Sequence, residues 1–348
     1  MSVKAEWKTK LEILRDYIAS NPEIFINTHE VSIPEHLRKR FYEYFDDIRH
    51  SFVRDFITSL PLDLNLLRDN YVMAEKEIVS ALKIDRIDLP VDLMSFLHNP
   101  EKGMVRALYN RLYEMIQDKM TIEEFEKIAV NDLIYVTEAM YRLGYEAWAA
   151  FTVILLLEPD KAFSVELDDN FEPFAGELRE IAFGRQFSHS TKRIPEFIIH
   201  SKKMESYVAL KMPLAKEISG YYPLHEIPQK MMRDRTGDTS YALESRVMFL
   251  SVLKTLENIP VYAEVHERKI KSPDFIIEFH TEQDLNNRDN IIQIEYRTEI
   301  MKPILGEALV IMNPGKEPLN VTIEKPSKVI LAGFEKSKLQ YIIDVLMS

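Results

Sequence analysis

Two acidic residues and one arginine in the last third of the chain have the types and spacing of a metal-binding site. Asp274 precedes a segment of alternating apolar residues, and Glu295 and Arg297 lie two residues apart in a second such segment. Residues two apart in a β-strand project from the same face, so Glu295 and Arg297 would point into one cleft. Carboxylate oxygens placed in this way can hold a divalent cation. The pattern therefore predicts one candidate site.

These residues are predicted to lie on two paired strands. In Phe275–His280 every second residue is apolar, the period expected of a strand. The opposite face of this strand carries Asp274, Ile276, Glu278 and His280. Asn290–Thr298 alternates in the same way, and the intervening Thr281–Asn290 has the polar composition of a hairpin loop. The distance from Asp274 to Glu295 then depends on the register of the pair, which the sequence leaves open.

Further elements are predicted around this hairpin. A helix over Ser240–Leu256 would place Glu244 near its first turn, where a carboxylate complements the helix dipole. Pro303–Met312 is compatible with a helix or a strand. The remaining predictions are strands over Val261–Glu267, Pro273–His280 and Lys328–Phe334, and a closing helix over Lys336–Met347.

This order of elements, with its acidic residues, resembles the core of the PD-(D/E)xK nuclease superfamily over about a third of the chain. The resemblance implies a magnesium-dependent nuclease in which Asp274 and Glu295 bind the metal and Glu244 is an auxiliary ligand. Arg297 would occupy the place of the family's lysine, which assists the attacking water. Because arginine stays protonated, Arg297 could bind phosphate but could hardly act as a base.

The same residues also have an ordinary structural interpretation. Proline is permitted at the first position of a strand, and an aspartate beside it is common in turns. Glu295 and Arg297 are compatible with an exposed strand face. The sequence contains no Walker loop, GxGxxG, GxSxG or HExxH motif. We therefore expect a non-catalytic interaction or regulatory protein that binds a protein partner, with the metal-dependent nuclease, active or degenerate, as the alternative.

The first part of the chain is predicted to be helical. Helical periodicity covers Ala5–Ile18, Ser32–Thr58, Leu64–Ile84, Val91–His98, Met104–Met120, Ile122–Leu143 and, after a break at Gly144, Tyr145–Leu157. The phenylalanines of the second helix are expected to form a core stripe beside partly exposed tyrosines. The predicted fold class is α+β, with an all-helical domain over residues 1–160 and a mixed α/β domain on a mostly antiparallel sheet over 240–348.

Residues 161–239 give weaker signals and form either a connector or the start of the second domain. Pro195–His200 and Tyr207–Lys211 are possible strands there. Lysine and arginine exceed acids in Arg185–Arg235, although the net charge of the whole chain is −12. Such an excess is typical of a solvated face, and a contact strip for nucleic acid is the alternative. The overall charge argues against a protein whose entire surface attracts nucleic acid.

The amino-acid composition also indicates the cellular compartment in which the protein is expected. The chain has no cysteine, which excludes disulfides, thiolate metal sites and a catalytic thiol. Its N-terminal residues lack the apolar segment of a signal peptide. The longest nearly apolar run, Trp148–Leu157, is about half the length of a membrane span. We expect a cytoplasmic protein with no membrane partner; the sequence does not indicate an oligomeric state.

Overall fold

The computed structural model describes residues 6–89, 91–170, 172–182, 192–211, 247–264, 272–281, 302–312 and 327–348, with Leu285 and residues 291, 292 and 294 between them. The chain divides into two compact units. Unit 1 contains residues 6–68 and 91–141, and unit 2 contains residues 69–89 and the described residues from 142 onward. The helices come first and a large mixed sheet follows, so the predicted α+β class is confirmed.

Unit 1 is built from helices that bury one apolar stripe each. They are α1 (Glu6–Ser20), α2 (Glu35–Ser59), the start of α3 (Leu64–Leu82), α4 (Val91–His98), α5 (Pro100–Val105), a 3-10 turn (Arg106–Leu108), α6 (Tyr109–Ile116) and the first part of α7 (Ile122–Leu156). A short hairpin of β1 (Phe25–Ile26) and β2 (Val31–Ser32) joins α1 to α2.

Local signals place the helix starts. Pro34 occupies the N-cap of α2. The N–H that proline lacks would have no hydrogen-bond partner within the helix at this position, so no helical bond is lost. Before α7, the Glu124 N–H donates to Thr121 Oγ1 (3.1 Å), and the Thr121 N–H donates to Glu124 Oε2 (2.8 Å). This reciprocal pair is a capping box, which satisfies two backbone donors that a helix end leaves free.

The core of unit 1 is aromatic, as predicted. The phenylalanines of α2 are fully buried, namely Phe41, Phe45, Phe52 and Phe56. Trp7 of α1 packs against Phe52 and against Phe125 of α7, with ring centroids 5.3 and 5.4 Å apart. Aromatic burial of this kind is among the largest apolar contributions to folding.

The predicted break at Gly144 is wrong, because α7 runs without interruption from Ile122 to Leu156. A glycine inside a helix costs only about 1 kcal/mol relative to alanine. Its neighbours Tyr145, Ala147 and Trp148 are fully buried, and this tertiary burial exceeds the local penalty.

Unit 2 is organised on an eight-stranded sheet of order β14-β13-β12-β10-β9-β8-β4-β5. Its strands are β4 (Pro159–Leu167), β5 (Pro173–Glu177), β8 (Phe197–Ser201), β9 (Ser206–Lys211), β10 (Val247–Leu253), β12 (Phe275–His280), β13 (Gly306–Ile311) and β14 (Ser327–Ile330). The pairs β12–β13 and β13–β14 are parallel and the others antiparallel. Residues between 159 and 211 thus contribute four strands of this sheet.

Smaller elements complete unit 2. Two short pairs join β3 (Arg86–Asp88) to β6 (Glu180–Ala182) and β7 (Lys192–Arg193) to β11 (Ala263–Glu264). The chain closes with a 3-10 turn over Lys336–Leu339 and α8 (Gln340–Leu346), near the predicted closing helix. Within the described ranges, no helix is long and apolar enough to cross a bilayer.

Two predicted elements are wrong. The helix over Ser240–Leu256 is contradicted at Val247–Leu253, which forms β10 between β9 and β12. Periodicity alone does not distinguish a helix from a strand in a short apolar run. Here the segment pairs with a strand on each of its edges, which makes it a strand. The strand over Asn290–Thr298 is contradicted at residues 291, 292 and 294, which are helical. It could not pair with β12, because β10 and β13 occupy both edges of that strand.

Candidate functional site

The two faces of the central sheet differ in chemistry. In β10, β12 and β13 the residues of one face are all apolar: Met248, Leu250, Val252, Phe275, Ile277, Phe279, Ala308 and Val310. The opposite face mixes apolar residues such as Phe249, Ile276 and Leu309 with ionisable or hydroxyl side chains. We call it the polar face, and its polar members are Glu196, Lys211, Ser251, Asp274, Glu278, His280 and Glu307. Because buried polar groups in a sheet are costly, this asymmetry marks the polar face as the candidate site.

Asp274 lies on the polar face directly before β12 and is half-buried. Its Oδ2 accepts a hydrogen bond of 2.5 Å from the backbone N–H of Val252 in β10. Its own N–H donates to the Leu250 carbonyl, and its carbonyl accepts from the N–H of Leu305. Asp274 therefore extends the pairing of β12 with both neighbouring strands, which is a structural role.

The most deeply buried ionisable groups of this face are Glu278, His280 and Glu307, each no more than 3% exposed. His280 Nε2 and Glu278 Oε2 are 2.9 Å apart. Glu307 of β13 is level with Ile276, and so lies diagonally between Asp274 and Glu278. Sequence alternation had placed Asp274, Glu278 and His280 on one face, whereas Glu307 is brought there by strand pairing.

The strand register limits which of these carboxylates can bind one metal ion together. Asp274 and Glu278 are four residues apart on one strand, so their Cα atoms are separated by about 13 Å. That spacing is too long for one Mg²⁺, whose ligand distances are about 2.1 Å. Among the acids of the described strands, Glu307 lies diagonal to both of them. Among the described residues, no three His, Cys, Asp or Glu side chains are grouped so as to hold a metal ion.

The other predicted site residues, Glu244, Glu295 and Arg297, lie outside the described residues. The separation of Asp274 and Glu295 therefore stays a prediction. The hairpin that would have joined them is not formed, as described above.

A second polar contact on the same face was missed by the sequence reasoning. Lys211 Nζ at the end of β9 lies 3.1 Å from Glu196 Oε1 and donates to the Ile194 carbonyl at 2.9 Å. A signal was present, since Pro195-Glu196-Phe197-Ile198-Ile199 at the head of β8 repeats the pattern of Pro273-Asp274-Phe275-Ile276-Ile277 at the head of β12. In both segments the acid directly precedes a buried strand.

Tyr262 lies close enough to Glu196 and Asp274 to be affected by their charges. Its hydroxyl donates to Ser251 Oγ (3.0 Å), and its ring packs on Phe249 (5.4 Å between centroids). Burial raises the pKa of the Tyr262 phenol, and the negative charges of Glu196 and Asp274 raise it further. Tyr262 is therefore a neutral hydrogen-bond donor at physiological pH.

Because β9 and β10 separate β8 from β12, Glu196 and Asp274 are too far apart to bind one metal.

The predicted basic strip, Arg185–Arg235, lies mostly outside the described residues. Lys211, one of its members, is paired with Glu196 and has only 13% of its side chain exposed. A lysine that is paired in this way contributes little to the attraction of a polyanion.

Unit 1 carries a different candidate, which we call the tyrosine surface: Tyr42, Tyr109 and Tyr113, with buried Arg49 against the ring of Tyr109. The Tyr113 hydroxyl donates to the Tyr42 oxygen (2.8 Å), and the Tyr113 and Tyr109 rings pack on buried Phe45, with centroids 4.6 and 5.4 Å away. Arg49 covers the Tyr109 ring at 5.0 Å. Tyr109 remains 38% exposed. The result is a fixed aromatic surface at the edge of the core.

The hydroxyl groups of Tyr109 and Tyr113 stay protonated. Burial raises the pKa of Tyr113 and of Tyr109, and for Tyr113 the bond with Tyr42 raises it further. Arg49 is held by an ion pair with Asp46 and donates to the Val105 carbonyl (3.3 Å). The side chains are thus ordered before any partner arrives, which lowers the entropy lost on binding.

Comparison with protein-family models, with curated proteins and with solved structures finds no match to this chain. Its function must therefore be inferred from the residues described above.

Proposed function

We propose that the protein is a non-catalytic interaction protein that binds a protein partner through the tyrosine surface of unit 1. Tyrosine is enriched in the energetically dominant positions of protein interfaces. The single observation that supports the proposal is the half-exposed Tyr109 ring, held between Arg49 and buried Phe45. A tyrosine fixed in this way offers a large apolar ring and a hydroxyl donor at little entropic cost.

Site-specific photocrosslinking tests this proposal. Tyr109 is replaced by p-benzoylphenylalanine in cells that naturally contain the protein, and adducts are identified by mass spectrometry. Tyr341 is the matched control, because it is also 38% exposed but belongs to α8 of unit 2. We expect one dominant protein adduct at position 109 that is absent at position 341. Equal adducts at both positions, or none at 109, would contradict the proposal.

The captured partner then allows a quantitative prediction. Tyr109→Ala is expected to weaken binding about 30-fold, as for a central interface tyrosine, because it removes the exposed ring. Tyr341→Ala should change affinity less than about twofold. The measurement is a titration with the purified partner. Thermal unfolding of both variants is measured as well. An unchanged unfolding temperature shows that weaker binding comes from the lost contact and not from loss of the fold.

Metal-dependent nuclease activity is the second candidate, and the diagonal position of Glu307 beside Asp274 on the polar face favours it. Carboxylates on neighbouring strands can bind Mg²⁺ together with substrate phosphates and water. The test is incubation of the pure protein with Mg²⁺ or Mn²⁺ and single- or double-stranded DNA and RNA. The whole chain is needed, because Glu244, Glu295 and Arg297 belong to this hypothesis.

If cleavage is found, Asp274→Asn is expected to reduce its rate about 100-fold or more by removing a metal ligand. The amide oxygen can still accept the Val252 N–H, so the fold should persist. Glu335→Gln is the control, since Glu335 is exposed and its ion pair with Lys338 is local. Cleavage that survives Asp274→Asn would reject this site, and absence of cleavage under every condition would reject the activity.

A further inference from the structure

Strand β5 lies at one end of the eight-stranded sheet. It pairs with β4 along one edge, and no described strand pairs with its other edge. An edge strand leaves alternate backbone N–H and C=O groups without sheet partners, and another chain can pair with them. Phe174, the second residue of β5, is 43% exposed, so the edge also offers an apolar side chain.

The charge around this edge is strongly negative. Between residues 164 and 180 the exposed acids are Glu166, Asp168, Asp169, Glu172 and Glu177. The single basic residue in this stretch is Arg179, which is already paired with Glu177 (3.1 Å). Such a field attracts lysine and arginine side chains and repels polyanions.

Gly176 brings part of this charge directly over β5. A Cβ atom at that position would lie 2.5 Å from Glu166 Oε1 and 2.7 Å from Ser164 Oγ. The absence of a side chain therefore lets the Glu166 carboxylate lie across the strand. An incoming strand would meet an acidic side chain as well as the open backbone.

We propose that the edge of β5 binds an extended, basic segment of another protein, which adds to the sheet as a further strand. Backbone hydrogen bonds would give affinity, and the acids around β5 would select lysine or arginine at alternate positions of the segment. A second copy of this chain would instead bring two acidic hairpins together, which like-charge repulsion disfavours. This surface belongs to unit 2 and is independent of the tyrosine surface.

The proposal can be tested with a fluorescent octapeptide of alternating lysine and valine and the full chain. We expect binding by fluorescence anisotropy, together with slower amide hydrogen exchange in residues 174–177. The double variant Glu172→Lys/Glu177→Lys should bind about tenfold more weakly. Its control, Glu12→Lys/Glu123→Lys, makes the same charge change at exposed helix positions of unit 1 and should bind as the parent does.

A peptide N-methylated at alternate residues distinguishes strand addition from simple charge attraction. Methylation removes N–H donors and leaves the lysines in place, so it should abolish the exchange protection and most of the binding. Equal binding of the methylated peptide would overturn the proposal, as would equal weakening by both double variants. Sedimentation of the free chain as a dimer that Phe174→Ala dissociates would assign the edge to a second copy and also overturn it.

Discussion

Replacing Trp148 with alanine is expected to destabilise unit 2 by about 3–5 kcal/mol, the range for removing a fully buried large aromatic side chain. Trp148 in α7 is 0% exposed, and its ring packs against Phe334 and Tyr145 at centroid distances of 4.9 and 5.2 Å. The Tyr145 hydroxyl also donates to the Gly333 carbonyl. Alanine would leave a cavity where α7 contacts the segment after β14, and Phe334 in that segment would lose one of the two rings that it packs against.

Trp148→Phe is the matched variant for this prediction. The indole N–H of Trp148 is buried without a hydrogen-bond partner among the described residues, so phenylalanine removes an unsatisfied donor while keeping a ring. We expect it to cost less than about 1.5 kcal/mol. Denaturant unfolding followed by circular dichroism measures both variants. Equal losses for alanine and phenylalanine would show that the ring contacts with Phe334 and Tyr145 do not stabilise unit 2.

The chain contains two tryptophans, and each reports on one unit. Trp148→Phe leaves Trp7 as the sole indole in unit 1, whereas Trp7→Phe leaves Trp148 in unit 2. Fluorescence of these variants therefore follows the unfolding of each unit separately. Such separation matters because a chain of two units need not unfold in a single two-state transition.

Local patterns predicted the elements whose structure depends on their own residues. Alternation identified Phe275–His280 as a strand, and the capping pattern at Thr121 identified the start of α7. The failures depend on distant partners. Val247–Leu253 is a strand because β9 and β12 pair with it, and Asn290–Thr298 cannot join β12 because both edges of that strand are occupied. Neither fact is contained in the segment itself.

The residues of the candidate site also fall into those that local patterns predicted and those that depend on distant partners. Alternation within one strand was sufficient to place Asp274, Glu278 and His280 on a common face. Glu307 joins them through the parallel pairing of β13, and Lys211 meets Glu196 through the β8–β9 hairpin. Side chains that meet across strands depend on register, which short patterns do not specify. The repeated Pro-acid-Phe-Ile-Ile pattern was the available clue to Glu196.

Gly103→Ala is expected to destabilise unit 1 by about 2–3 kcal/mol, as for overpacking against a rigid neighbour. Helix propensity alone predicts the opposite sign, since alanine is favoured over glycine by about 1 kcal/mol inside a helix. Gly103 lies in α5, and a Cβ atom there would lie 2.5 Å from Phe96 Cα and 2.8 Å from Phe96 N in α4. These are backbone atoms, so a change of rotamer at Phe96 cannot relieve the clash.

The measurement is denaturant unfolding followed by Trp7 fluorescence in the Trp148→Phe background. Thr9→Ala serves as the control, because Thr9 is exposed in α1 and alanine there should stabilise unit 1 by a few tenths of a kcal/mol through propensity alone. The two substitutions therefore have expected effects of opposite sign in the same unit. If Gly103→Ala were instead as stable as the parent, α4 and α5 could not approach as closely as described, because no side-chain adjustment makes room for a Cβ atom against the Phe96 backbone.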